Sequence, residues 1–203
     1  MIRAFIAVEV NDDLRKQIAQ VQQELRQRLS REGSRDVRIS WVQPTAIHLT
    51  IKFLGDIDER LVDDMRAAIE QVLREHRSIR IPLERFGAFP RPHQPRVLWV
   101  GASEQWEQSE DAQRLASLHR GIEDCCATFD FAHDSRPLSP HLTLARIKEG
   151  ERHVGQTLAK TSVMDRPLSL GSLLLESVVL MKSELRPTGP VYTKLWEVAL
   201  ARP

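Results

Sequence analysis

One tetrapeptide pattern occurs twice in this chain, and both copies lie inside apolar runs: His48-Leu49-Thr50-Ile51 and His141-Leu142-Thr143-Leu144. They stand about half a chain apart. In a β-strand, residues i and i+2 share a face. Each copy therefore points a histidine and a threonine one way and buries Leu and Ile the other way. Two such strands side by side would present two imidazoles and two hydroxyls to one cleft. The recurrence implies two similar halves, each built around one motif strand.

The surrounding pattern supports that division. Arg3 to Val10 reads as a buried strand. Asn11 is suited to cap a helix whose first turn holds Asp12 and Asp13, with Leu14, Ile18, Val21, Leu25 and Leu29 on one face and an end near Gly33. Strands are expected at 37–42 and 47–54, a helix over Leu61 to Leu73, and strands at 79–86 and 96–100. A third helix runs from Trp106 to Phe129, and the second motif strand covers 141–147. A polar, helix-capable stretch follows, then strands at 173–181 and 191–200. Several adjacent strands are joined by loops too short for parallel crossovers. The expectation is an α+β fold of mixed or mainly antiparallel sheets with helices packed outside. With no low-complexity linker, residues 1–203 should form one compact bilobal domain.

Charge and cysteine usage narrow the setting. The chain carries 29 basic and 28 acidic residues, so bulk electrostatics do not advertise nucleic-acid binding, although a local basic groove is compatible with that balance. Cys125 and Cys126 are adjacent and match no zinc or redox spacing, so helix-borne thiols in or near the core are expected. No apolar stretch approaches membrane-spanning length and the first residues lead straight into a strand pattern. A cytoplasmic, monomeric protein without membrane contact is expected.

The paired motif suits acid–base chemistry on a phosphate. Opening a cyclic phosphate that bridges the ribose 2′ and 3′ oxygens needs a base to deprotonate water and an acid to protonate the leaving oxygen. Histidine serves in either role, because its unperturbed pKa is about 6.5. Threonine hydroxyls suit the non-bridging oxygens. No cofactor is required, and no metal site is expected, because two histidines without a third nearby ligand do not make a usual zinc set. Strict alternation puts Lys52 on the face of His48 and Thr50, at the edge of the site, with Phe53 on the opposite face. It also turns Arg146 away from His141 and Thr143 unless a bulge intervenes. The other histidines, His76, His93, His119, His133 and His153, are read as surface residues.

Taken in order, further segments carry a resemblance across nearly the whole chain. They are Arg3-Ala4-Phe5-Ile6-Ala7, Trp41-Val42 with Pro44, His48 through Gly55, Pro95 through Gly101, Pro140 through Arg146, and Ser183 and Leu185 with Gly189-Pro190 and Tyr192. In these the chain resembles the bacterial-type RNA 2′,3′-cyclic phosphodiesterases, also called 2′-5′ RNA ligases, of the two-histidine phosphoesterase superfamily. It departs from that pattern at Ala46, where asparagine is common, and at Leu138, where phenylalanine is frequent. The resemblance implies two antiparallel sheets related by pseudo-two-fold symmetry, with the cleft between them. It implies hydrolysis of an RNA 2′,3′-cyclic phosphate end, or of a small cyclic-phosphate nucleotide, to a 2′-phosphomonoester. His48 would be the proton donor and His141 the proton acceptor. Thr50 and Thr143 would hold the phosphate, Arg146 would join them against the alternation argument, and Tyr192 would contact substrate.

Two rival readings use the same residues. A ligase joining a 2′-phosphate end to a 5′-hydroxyl needs the same histidine pair. A non-catalytic RNA-end-binding module needs cationic or hydroxyl ligands but has no use for a paired acid and base.

Overall fold

The computed structural model describes residues 1–31, 37–187 and 189–201 of the chain. In chain order its elements are β1 (Ile2–Glu9), α1 (Asp12–Arg31), β2 (Arg38–Trp41), β3 (His48–Ile57), α2 (Val62–Leu73), β4 (Ile79–Pro82) and β5 (Arg85–Phe89). They continue with β6 (Val97–Gly101), α3 (Glu110–Ala127), β7 (His141–Glu149), α4 (Glu151–Lys160), β8 (Ser172–Leu175), β9 (Ser177–Arg186) and β10 (Gly189–Ala199).

Local chemistry accounts for the helix starts. The Asn11 side chain accepts the Leu14 amide at 2.9 Å, and Asp12 and Asp13 occupy the first turn of α1, where the helix dipole favours acids. Ser109 caps α3 in the same way, accepting the Ala112 amide at 3.2 Å. Leu14, Ile18, Val21, Leu25 and Leu29 form the buried stripe of α1, as their spacing requires. The expected end near Gly33 lies outside the described residues.

The sheets are antiparallel. Strands β10-β9-β1-β3 make one half; β7-β6-β5, with β2 paired to the free side of β7, make the other. The expected pair of sheets is thus present as two four-stranded halves, joined into one sheet where Leu49 of β3 pairs with Leu142 of β7. Both leucines belong to the motifs. An antiparallel register centred on them aligns His48 with Thr143 and Thr50 with His141, which is the local two-fold relation that the repeat demands. Beside this junction β2 takes over the β7 edge, pairing Trp41 with Ala145 and Ser40 with Arg146. Gln22, buried on α1, donates from Nε2 to the carbonyls of Val42 and Leu144, both at 2.8 Å. It ties β2 and β7 together behind the opening.

Two expected strands are each divided. The run 79–86 splits into β4 and β5, and the run 173–181 into β8 and β9, because β4 and β8 leave the main sheet and pair with each other. At the crossing, the Leu83 amide bonds Gly171 and the Glu84 amide bonds Gly101. Apolar alternation continues through Ile79, Ile81 and Leu83, all buried, so the change of sheet leaves no mark on the pattern.

Candidate active site

Both motif strands are interrupted by a bulge at the same place. On β3, Thr50 pairs with Ala7 and Lys52 with Ile6, which leaves Ile51 without its own partner on β1. On β7, Thr143 pairs with Trp99 and Ala145 with Leu98, which leaves Leu144 as the extra residue. A bulge shifts the alternation by one position. After it, Lys52 and Ala145 turn into the core, while Phe53 and Arg146 turn out to the side of the histidines and threonines. This corrects two expectations. Lys52 is 2 % exposed and lies in the interior, not at the edge of the site. Phe53, expected on the buried face, is 63 % exposed and lines the cleft. Arg146 stands with His141 and Thr143, as the resemblance implied.

The histidines are held alike. His48 Nδ1 lies 2.8 Å from the carbonyl oxygen of Ala46, and His141 Nδ1 lies 2.7 Å from that of Ser139. A carbonyl only accepts, so each Nδ1 carries the proton and each Nε2 is the atom left to exchange one. The backbone supplies the acceptor, so Ala46 serves without the asparagine common at that position. Aromatic side chains fix the ring planes. Phe5 lies 4.7 Å from the His48 ring, and Tyr192 meets that ring edge-on at 5.2 Å. Phe89 meets the His141 ring edge-on at 5.0 Å, with Trp99 behind it at 5.9 Å. Trp99 lies flat over β5 because residue 87 is glycine; a Cβ there would fall 1.9 Å from the indole.

His48, Thr50, His141, Thr143, Arg146 and Tyr192 all line one cleft of about 540 Å³, a size that accommodates a small ligand. Arg3 and Lys148 line it as well, and among the described residues no aspartate or glutamate does. The near-neutral chain thus places a cationic groove at the motif pair. Burial lowers the pKa of both histidines, opposed by their carbonyl hydrogen bonds and assisted by the Arg146 charge; His48 also feels His141. Burial raises the Tyr192 pKa, so its hydroxyl keeps its proton. Sequence reasoning missed Phe53, Arg3 and Lys148 as cleft residues, and Phe5, Phe89 and Trp99 as ring supports.

Lys52 has another function. Its ammonium donates to both carboxylate oxygens of Glu123, at 2.9 and 2.8 Å, and to the carbonyl of Ala132 at 2.9 Å. Burial pushes the Glu123 carboxyl up, but the bonds from Lys52 and the Asp134 amide prevail and hold it below the usual range. His119, read from the sequence as a surface residue, has only 13 % of its side chain exposed and lies 3.5 Å from Glu123. His119, Glu123 and Asp134 are spaced as metal ligands are, but the Lys52 ammonium already neutralises the carboxylate on which such a site would depend. Both cysteines are free, with Cys126 buried and its thiol pushed up to about 12 by burial. Among the described residues no helix is long and apolar enough to cross a membrane.

Two His-x-Thr strands meeting across one cleft define the class of two-histidine phosphoesterases. The family model for LigT-like phosphoesterases matches residues 8–99 and 107–192, and the chain belongs to that family. The RNA 2′,3′-cyclic phosphodiesterase of Methanothermobacter thermautotrophicus is 30% identical over 194 residues, 96% of either chain. The protein of the same name from Archaeoglobus fulgidus is 31% identical over 196 residues, 96% of this chain and 98% of its own. Among solved structures, TT0787 of Thermus thermophilus superposes with a TM-score of 0.71 at 28% identity, covering 98% of both chains.

Proposed function

We propose that this phosphoesterase opens terminal 2′,3′-cyclic phosphates of RNA with water and leaves a 2′-phosphomonoester. The observation that carries the reading is the duplicated arrangement of an Nδ1-anchored histidine beside a threonine, in a cleft lined by cations and, among the described residues, by no carboxylate. The relatives named RNA 2′,3′-cyclic phosphodiesterase, matched over almost their whole length, support the same substrate.

In this mechanism the phosphorus sits between the two Nε2 atoms. His141 Nε2, unprotonated, takes a proton from water as the water oxygen bonds to phosphorus. The bond from phosphorus to the 3′ oxygen breaks on the opposite side, and protonated His48 Nε2 gives its proton to that oxygen. The cycle closes when His141 loses its proton to solvent and His48 regains one. Thr50 and Thr143 donate hydroxyl hydrogen bonds to the non-bridging oxygens, and the Arg146 guanidinium balances their charge. Tyr192, protonated and packed against His48, contacts the substrate from the same side. Base and acid both come from the chain, so the step requires no metal.

The test is incubation with an oligoribonucleotide ending in a 2′,3′-cyclic phosphate, with and without excess EDTA. The expected product is the 2′-phosphomonoester at the same rate in both. An intact substrate would contradict the reading, as would activity lost to the chelator and restored by zinc or manganese. Adding a second RNA with a free 5′-hydroxyl separates hydrolysis from ligation, since a longer product would identify a ligase.

A further inference from the structure

Several cations outside the cleft are neutralised in ion pairs. Arg15, Arg38, Arg60, Arg74, Arg85, Arg114 and Lys194 each lie against a carboxylate. Among the described residues Arg3, Arg146 and Lys148 have no such partner, although all three border the cleft. The charge on Lys148 is not cancelled by its neighbour either, because Glu149 is engaged by Arg38 from β2. The bulge at Leu144 brings Arg146 to the histidine face, and Lys148, two residues on, follows it there. A second irregularity, between Arg38 and Ile39, leaves Lys148 as the extra residue opposite β2, with its side chain exposed.

Residues i and i+2 on a strand stand about 7 Å apart. That distance is comparable to the separation of successive phosphates along a nucleic-acid strand. Resting on the reading of Arg146 as a ligand of the cyclic phosphate, we infer that Lys148 binds the next phosphate, the diester on the 5′ oxygen of the terminal nucleoside. The cleft is then a two-phosphate track along β7, and it selects the end of a strand over a free cyclic mononucleotide. An exposed lysine suits this task, because it acts as a point charge that follows a flexible backbone without reading sequence.

The experiment compares two substrates that differ by one group: a nucleoside 2′,3′-cyclic phosphate, and the same compound carrying a methyl phosphodiester on its 5′ oxygen. For the unaltered protein kcat/KM should favour the diester. In Lys148→Met the loss on the diester should exceed the loss on the simple substrate by about three- to tenfold, the scale of one phosphate contact. The slope of log kcat/KM against log salt for the diester should flatten by about 0.7, the value for one phosphate of a single strand. Equal preference by the unaltered protein would overturn the inference, and so would equal losses on both substrates. Failure of the unaltered protein to hydrolyse either compound would overturn the functional reading instead. Lys148 is then judged by binding of the corresponding nucleoside 2′-phosphates, with and without the 5′ diester, where the same difference is required.

Discussion

His48 and His141 share one hydrogen-bonding arrangement, yet the proposed reaction needs them in opposite protonation states. Burial and the Arg146 charge lower both pKa values, so in the empty cleft both rings are neutral at pH 7. A bound phosphate reverses the sign of the local field, because its negative charge favours an imidazolium. In the proposed reaction the proton that His48 donates is therefore taken up with the substrate. Two consequences follow from the direction of the shifts. The kcat/KM profile, which reports the free protein, should peak below pH 6.5, while kcat, which reports the complex, should peak at higher pH. In Arg146→Gln a cation that lowers both pKa values is lost, so NMR titration of the free protein should find both histidines titrating at higher pH. Coincident kcat and kcat/KM maxima above pH 7, or histidine pKa values that stay put in the variant, would contradict this electrostatic account.

At the scale of the element, the strands carry the function through their irregularities. Each bulge adds one residue after the threonine and exchanges the faces of everything beyond it. The sequence makes His48, Thr50, His141 and Thr143 legible, because they precede the bulges, where strict alternation holds. It misplaces Lys52 and Phe53, because they follow one. A clue was present: the two motifs align as His-Leu-Thr-Ile-Lys-Phe and His-Leu-Thr-Leu-Ala-Arg. With Arg146 on the cleft side, the alignment requires Phe53 there too, and Lys52, the equivalent of Ala145, turned inward. The price of that inward turn falls on a lysine, whose ammonium is accommodated by Glu123 from α3 and the Ala132 carbonyl. Removing one partner of a buried pair leaves an uncompensated charge and typically costs about 3–5 kcal/mol, whereas replacing both by apolar groups is often neutral. Lys52→Met should lower the unfolding free energy in urea by that amount, and Lys52→Met/Glu123→Leu should recover most of it. A single variant within about 1 kcal/mol of the parent, the range of an exposed pair, would show that the bond is not a structural tie.

Over the whole molecule, the motif pair works because the halves meet at one residue pair. Leu49 and Leu142 close the junction from below, and their neighbours face the same opening from two directions. Short connections made an α+β plan of mixed or mainly antiparallel sheets legible, and the antiparallel pair of halves followed from the resemblance. The departure of β4 and β8 into a small sheet was not legible, since buried alternation reads the same in either sheet. The central claim is a division of labour between the halves: the β3 half supplies the acid, His48, and the β7 half supplies the base, His141. The most direct measurement is a two-by-two comparison of His48→Ala and His141→Ala on an ordinary cyclic phosphate and on one whose 3′ oxygen is replaced by sulfur. A thiolate leaves without being protonated. His48→Ala should therefore be crippled on the oxygen substrate and largely restored on the sulfur substrate, while His141→Ala should stay crippled on both, because water still needs a base. Restoration of His141→Ala instead would reverse the roles, and restoration of neither would contradict the acid assigned to His48.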